Sequence, residues 1–436
     1  MVWRGNLKIA VLRVKFADVA QEQRDDGFYY DLFINRFTGG LNDYYINASG
    51  GNVNFDDSIL LPWKSTVENR QDFLTKYAGR NNIINAACAI HGIDRSQFFA
   101  VVAIFNASTG DASSAGNGVL LSADAPIELE MRFLAHEIGH CFGFMDSYDE
   151  SDRRQGSDPA EGWYWDQYDI MSARNTFSYS HPRWGMTGPN LAMPYKEFAG
   201  WTSKVYTTRT NVDHTDEIRL LSYANPLSNG YTCIRYDNWY VEFRTPDFFD
   251  TGLARPCILI HSMTPEVNAV VHNRNPVNWV NEWQVGDVFG APPLVFSLFG
   301  GVRIEILGYN LQTGDKYARI RISVRRRRPP PVFPPTQPPV FPPIIPPGPL
   351  NPQSAPVAAI SGQAPVQDLE TNDPKAPIFV SNEEFISASK HTVDEDKQEE
   401  VAGRIRRTLE GIALHAKDEV LAPPAPPRNE DAEDTQ

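Results

Sequence analysis

The chain has 436 residues, 42% hydrophobic and 11% aromatic, so it is long enough for two domains with sizeable cores. Its formal net charge is −14, and residues 361–436 carry nine of those negative charges. An acidic chain gives no reason to expect nucleic acid as a partner. No stretch approaches the roughly eighteen apolar residues of a membrane span.

The first 204 residues combine predicted strands with predicted helices, which indicates an α+β domain with a mixed sheet. Buried strands are predicted for KIAVLRVKFAD and FFAVVAIFNAS, and an edge strand for GVLLSAD. Helical spacing in YYDLFINRFTGGLNDYYINAS is interrupted by Gly39 and Gly40, and VENRQDFLTKYAGRNNIINAACAIHGID predicts one or two helices. The segment PIELEMRFLAHEIGHCFG then predicts one long helix, because proline favours the first turn of a helix and glycine its end.

Residues 205–324 have a different pattern, in which short alternating runs are separated by turn residues. This pattern predicts an all-β domain, a small sandwich or barrel that packs on the first domain. The runs that predict its strands are EIRLLSYA, YTCIRY, WYVEFRT, PCILIHSM, VRIEILGYN and YARIRISV.

Two further segments follow the β-rich domain. Residues 325–358 begin with four arginines and continue as a proline-rich run, which predicts a stiff polyproline II spacer. Docking of a proline-reading domain on this segment is the alternative. Residues 359–436 are polar and acidic, and their composition predicts a mostly disordered tail with one candidate amphipathic helix, EEVAGRIRRTLEGIALHAKDEVL.

The four cysteines include no CxxC pair, which argues against a cysteine zinc site. Cys233 and Cys257 both fall in the β-rich domain. They would be able to form a disulfide in an exported protein, and two buried thiols are the alternative.

The segment HEIGHCFGFMD, from His136 to Asp146, carries the pattern with the clearest chemistry. Residues i and i+4 share one face of a helix, so the imidazoles of His136 and His140 point to one place. Two ligands of one Zn²⁺ ion need this arrangement. Glu137 is displaced around the helix, where it can reach a metal-bound water without becoming a ligand. A solvated helix with two histidines is the alternative for the bare HExxH pattern.

Gly143 and Asp146 strengthen the zinc prediction. A glycine three residues after His140 can take the left-handed conformation that ends a helix and turns the chain. That turn allows Asp146 to return to the metal as a third, oxygen ligand. The alternative third ligand, Glu161, lies in a loop rich in Gly, Asp and Trp without a helical pattern, so Asp146 is preferred.

Met171 lies in YDIMSA, thirty-one residues after His140. In metzincin proteases a methionine in a tight turn forms a hydrophobic floor under the zinc ligands. The chain resembles the M6 family of metalloproteases, the group of immune inhibitor A, within the metzincins. Besides the zinc motif and YDIMSA, the segments that carry this resemblance over residues 7–324 are LNDYYINASGGNVNF, PYKEFAGW and WYVEFRTPDFFDTGLARPCILIHSM.

The resemblance implies zinc ligation by His136, His140 and Asp146, with Glu137 as the catalytic base and Met171 as the floor. It also implies an extracellular endopeptidase, although the N-terminal residues MVWRGNLKIAVLRVKF lack the apolar run of a signal peptide. Family members often hold structural calcium. A candidate Ca²⁺ site is the acidic loop that contains Asp149, Asp152, Asp158, Asp166 and Asp169.

These observations predict a zinc-dependent endopeptidase that acts on protein or peptide substrates, with water activated by the metal and by Glu137. One alternative is a catalytically inactive, M6-like binding protein whose proline-rich segment and tail make the interactions. A second alternative is a zinc hydrolase of substrates other than peptides.

Overall fold

The computed structural model describes residues 2–150, 166–172, 176–209, 212–223, 229–274, 280–291 and 301–325. The predicted linker beyond residue 325 and the acidic tail with its candidate helix lie outside the described residues. Asp152, Asp158 and Glu161 lie outside them as well. None of the helices in the described part is long and apolar enough to cross a membrane.

The α-helices of these residues are, in chain order, α1 (Asp26–Phe33), α2 (Leu41–Ala48), α3 (Arg70–Lys76), α4 (Arg80–His91), α5 (Met131–Cys141) and α6 (Met193–Phe198). The two long helical patterns of the sequence therefore each form two helices. α1 and α3 begin where the side chains of Asp25 and Asn69 accept hydrogen bonds from backbone amides of the first turn. α4 ends at Gly92, whose φ of 69° is the left-handed conformation that glycine adopts readily.

The strands follow the same order. The earlier ones are β1 (Gly5–Asn6), β2 (Ile9–Lys15), β3 (Val53–Asn54), β4 (Ile59–Leu60), β5 (Lys64–Ser65), β6 (Ala100–Phe105), β7 (Ser113–Ala115), β8 (Gly118–Ser122), β9 (Tyr148–Asp149) and β10 (Tyr179–His181). The later ones are β11 (Gly185–Thr187), β12 (Val205–Thr207), β13 (His214–Leu221), β14 (Cys233–Tyr236), β15 (Trp239–Arg244), β16 (Cys257–Met263), β17 (Ala269–Val271), β18 (Val288–Ala291), β19 (Gly301–Asn310) and β20 (Tyr317–Arg325).

The main sheet of the N-terminal region has the strand order β4-β2-β6-β8-β7, and β5 also pairs with β2. Its pairings are parallel except that of β7 with β8. β2 and β6 are almost entirely apolar because one face of the sheet packs on α4 and the other on α2 and α5. The prediction that GVLLSAD forms an edge strand is wrong, because β7 pairs with the outer side of β8.

The β-rich region contains two sheets whose pairings are mostly antiparallel. One has the order β12-β14-β15-β16-β17-β9 and the other β13-β20-β19-β18. Side chains of both sheets, among them Ile234, Ile260, Ile304 and Ile322, share one apolar core. Each of the six alternating runs of the sequence overlaps one of these strands. The prediction of a mixed α/β region followed by a β-rich region is confirmed.

β9 belongs to the N-terminal region in sequence but pairs in parallel with β17 of the β-rich region. Tyr148 lies opposite Val270, and Asp149 lies opposite Val271. The turn of residues 142–147 is therefore held by α5 at one end and by a sheet of the β-rich region at the other.

The four cysteines are all free thiols. Cys233 lies on β14 and Cys257 on β16, and β15 lies between these two strands. Two strand spacings alone separate the Cα atoms by at least roughly 9–10 Å, beyond the ~7 Å that a disulfide can bridge. Of the two alternatives for this pair, the structure favours buried thiols.

Candidate metal centre

α5 carries both histidines of the zinc motif and begins later than the sequence pattern predicts. Pro126–Leu129 form a separate 3₁₀ turn, and Glu130 is extended with a ψ of 141°, so the α-helix covers only Met131–Cys141. The apolar side of α5 is buried in the core. The imidazoles of His136 and His140 are partly exposed.

The two imidazoles approach each other through their Nε2 atoms, which lie 3.1 Å apart. His136 Nδ1 lies 3.0 Å from the carbonyl oxygen of Ile170, and His140 Nδ1 lies 2.9 Å from that of Phe144. A carbonyl oxygen only accepts, so both Nδ1 atoms carry the proton and donate. Burial lowers the pKa of His136 to about 4, which keeps this imidazole neutral. Two Nε2 lone pairs this close together repel each other, and a cation bound between them would stabilise the arrangement.

Asp146 adds a carboxylate oxygen to the two nitrogens. Its Oδ1 lies 3.5 Å from His136 Nε2 and 3.6 Å from His140 Nε2. The three residues each offer one ligand atom, and these atoms lie within 4.8 Å of one another. Two imidazole nitrogens and one carboxylate oxygen are a donor set that suits Zn²⁺ in a three-ligand site.

The position of Asp146 depends on the turn that ends α5. Gly143 has a φ of 85°, a conformation that a residue with a side chain rarely adopts. The carbonyl oxygen of Asp146 accepts hydrogen bonds from Tyr195 Oη at 3.0 Å and from Asn268 Nδ2 at 2.9 Å. Because Asn268 immediately precedes β17, the β-rich region helps to hold this backbone in place.

Glu137 is buried beside the edge strand β7. Its Oε2 accepts a hydrogen bond from Ser114 N at 2.7 Å and lies 3.4 Å from Ser113 Oγ. Burial raises the pKa of the Glu137 carboxyl, although His140 and the hydrogen bonds from β7 oppose this effect. A raised pKa brings a carboxyl closer to the range in which it can both accept and return a proton.

Met171 is fully buried and lies against α5. A methyl group on Gly139 would be only 2.3 Å from Met171 Sδ, so the thioether touches the helix backbone between the two histidines. The carbonyl oxygen of Met171 accepts a hydrogen bond from Ser147 N at 3.0 Å. The structure thus brings this residue next to the helix and the turn that carry the candidate ligands.

The described aspartates of the candidate calcium loop bond to protein groups. Asp149 accepts hydrogen bonds from Asn273 and Asn281. Asp166 Oδ2 lies 3.0 Å from His261 Nε2, and Asp169 Oδ1 accepts from Met171 N. Within the described residues, the only group of three or more His, Cys, Asp or Glu side chains close enough to share a metal ion lies at the end of α5.

Sequence reasoning missed β7 and the carbonyl groups that orient the imidazoles. The signal for β7 was available, because Gly116 and Asn117 before an apolar run are typical of a two-residue hairpin loop. The carbonyl oxygens of Ile170 and Phe144 have no signal in the sequence, since every residue has a carbonyl group.

Comparison with known proteins adds no relative: no family model, no curated protein and no solved structure matches the chain. The geometry of the site is therefore the basis for inferring the function of the chain.

Proposed function

We propose that the chain is a zinc-dependent endopeptidase, with a metzincin-like catalytic region followed by a sandwich-like β domain. The observation that carries the proposal is the approach of three ligand atoms at the end of α5: His136 Nε2, His140 Nε2 and Asp146 Oδ1. Both imidazoles donate through Nδ1 to backbone carbonyls, which leaves both Nε2 lone pairs available to a metal. Such backbone partners orient metal-ligating histidines in known zinc proteins.

The proposed chemistry divides between the metal and Glu137. Zinc held by these ligands would supply a Lewis acid that polarises a carbonyl group and activates water. Glu137 takes a proton from the attacking water and returns it to the leaving amine. Ser114 N–H binds Oε2, and Oε1 forms no hydrogen bond within the described residues, so it is available for the proton.

The edge strand β7 supports a peptide as the substrate. β7 lies at the end of its sheet, and among the described residues no strand pairs with its outer side. The N–H of Ser114 already donates to Glu137, and its carbonyl oxygen accepts from Arg80 Nη1 at 2.8 Å, so Ser114 offers no free N–H to an added strand. An extended peptide that lies along this edge would still pass beside the carboxylate that moves the proton, because Ser113 and Ser114 contact Glu137.

Cleavage of casein or gelatin tests the proposal. The purified protein should cleave the substrate, lose activity with a zinc chelator, and regain it when zinc is restored. Glu137→Gln should abolish cleavage and retain zinc, because the change removes the proton acceptor without removing a ligand.

Glu128→Gln is the matched control for this variant. Glu128 also accepts a hydrogen bond from a backbone amide, that of Ser122, but it precedes α5 and contacts none of the proposed ligands. This variant should keep most of the activity. Equal cleavage by wild type and Glu137→Gln would reject Glu137 as the base. Zinc binding without any chelator-sensitive cleavage would reject the endopeptidase.

A further inference from the structure

Residues 166–172, here called the Met-turn segment, form two consecutive turns that aspartate side chains close. Asp166 Oδ1 accepts a hydrogen bond from Tyr168 N at 3.0 Å, and Asp169 Oδ1 accepts one from Met171 N at 3.1 Å. Aspartates that bond to the backbone two residues later fix a local turn. The conformation of the segment therefore depends on where these two carboxylates are held.

The Met-turn segment in turn orients the candidate metal ligands. The carbonyl oxygen of Ile170 accepts the hydrogen bond from His136 Nδ1 at 3.0 Å. The carbonyl oxygen of Met171 accepts from Ser147 N at 3.0 Å, directly after Asp146 in the chain. A shift of the segment would therefore rotate one imidazole and move the turn that carries the carboxylate.

The segment is anchored from the β-rich region by buried charges. Asp166 Oδ2 lies 3.0 Å from His261 Nε2, and the side chains of both residues are fully buried. His261 Nδ1 lies 3.2 Å from Glu242 Oε1, an ion-pair contact. Arg244 Nη2 also donates to the carbonyl oxygen of Tyr168 at 3.0 Å. Glu242 and Arg244 lie on β15 and His261 on β16, two paired strands.

A charged imidazole compensates the buried carboxylate of Asp166, and it shares that of Glu242 with Arg244, whose Nη1 lies 3.2 Å from Glu242 Oε2. Burial alone would lower the pKa of His261, but Asp166 and Glu242 outweigh it and raise that pKa to about 10. A buried charge that loses its partner is strongly unfavourable, so the pair allows the segment little freedom. No pattern in the sequence joins His261 to the zinc motif, because they are more than a hundred residues apart.

We propose that His261 and Asp166 are positioning residues for the metal centre, through an ion pair that fixes the Met-turn segment and with it His136 and the turn of Asp146. This inference rests on the proposed zinc site. It gives the β-rich region a role in orienting that site, since His261, which contacts the Met-turn segment, lies on β16.

Zinc affinity, measured by competition with a chromogenic chelator, tests the inference without any activity assay. His261→Gln removes the charge, and Asp166→Asn keeps an Oδ1 acceptor for Tyr168 N. Each variant should bind zinc about 10- to 100-fold more weakly than wild type, the range found when a group that orients a metal ligand is replaced. The double variant should bind about as weakly as the weaker single variant, because both changes break one contact.

A core variant separates positioning from general destabilisation. Ile320→Ala opens a cavity in the core of the β-rich region and should lower stability while leaving zinc affinity within about twofold of wild type. Circular dichroism identifies which variants fold, and either folded single variant decides the question. Wild-type zinc affinity in a folded His261→Gln or Asp166→Asn variant would overturn this inference and leave the proposed function intact. Failure of the wild-type protein to bind zinc would overturn the proposed function with it.

Discussion

Replacing Gly139 by alanine would bring a methyl group against the sulfur of Met171. The new Cβ would lie 2.3 Å from Sδ and 3.1 Å from Cε, whereas ordinary contact begins at 3.4 Å. Alanine is favoured over glycine inside a helix by about 1 kcal/mol. Overpacking of a dense core costs about 1–3 kcal/mol, and Met171 is fully buried. We therefore expect Gly139→Ala to lower the free energy of unfolding by up to about 2 kcal/mol.

A double-mutant cycle in urea, followed by tryptophan fluorescence, measures whether Met171 is the cause. Met171→Ala alone should cost about 2–5 kcal/mol, because it leaves a cavity beside α5. Together with Gly139→Ala, the new methyl group partly fills that space. The free energy of unfolding of the double variant should therefore be at least about 1 kcal/mol higher than the sum of the two single effects predicts.

The matched control is Gly308→Ala in β19, where an added Cβ would meet no atom within 4 Å. It should change stability by less than about 0.5 kcal/mol. Additive effects of the two substitutions in the cycle would refute the contact between Met171 and α5.

Three other outcomes follow from particular side chains. Asp146→Ala should weaken zinc binding by more than about 100-fold, because losing a ligand costs more affinity than losing a group that orients a ligand. Unchanged affinity in the chelator competition would exclude the Asp146 carboxylate as a ligand. Burial lowers the pKa of Lys196 from 10.5 to about 7, so between these pH values the unfolded chain binds a proton that the folded chain releases. Lys196→Met should therefore stabilise the protein most at and below about pH 7, with an advantage of a few kcal/mol that shrinks toward pH 10 in urea titrations; a difference that stays constant from pH 7 to pH 10 would contradict this. The denatured protein should titrate four free thiols without reductant, and two would indicate a disulfide.

Local patterns in the sequence predict the parts of the fold that short-range physics decides. The i, i+4 spacing of His136 and His140 predicts one helical face, and both imidazoles share it. Alternating runs predict six strands of the β-rich region because each strand buries one face. The helix begins later than predicted because Glu130 is extended, and neither the apolar spacing nor Pro126 indicates that break.

Contacts between distant residues carry no such pattern. β7 is short and polar, so its pairing with β8 depends on a hairpin loop rather than on hydrophobic alternation. The carbonyl oxygen of Ile170 and the His261–Asp166 pair orient the site through tertiary structure alone. Sequence therefore predicts the types of the candidate ligands, and the folded chain shows which contacts hold these side chains in place.

Anomalous diffraction at the zinc absorption edge, from crystals of the zinc-loaded protein, tests the central claim most directly. We predict one strong peak at the end of α5, about 2.0–2.2 Å from His136 Nε2, His140 Nε2 and an Asp146 carboxylate oxygen. A structure without a peak at these three atoms, or with zinc bound only elsewhere, would contradict the proposed metal centre.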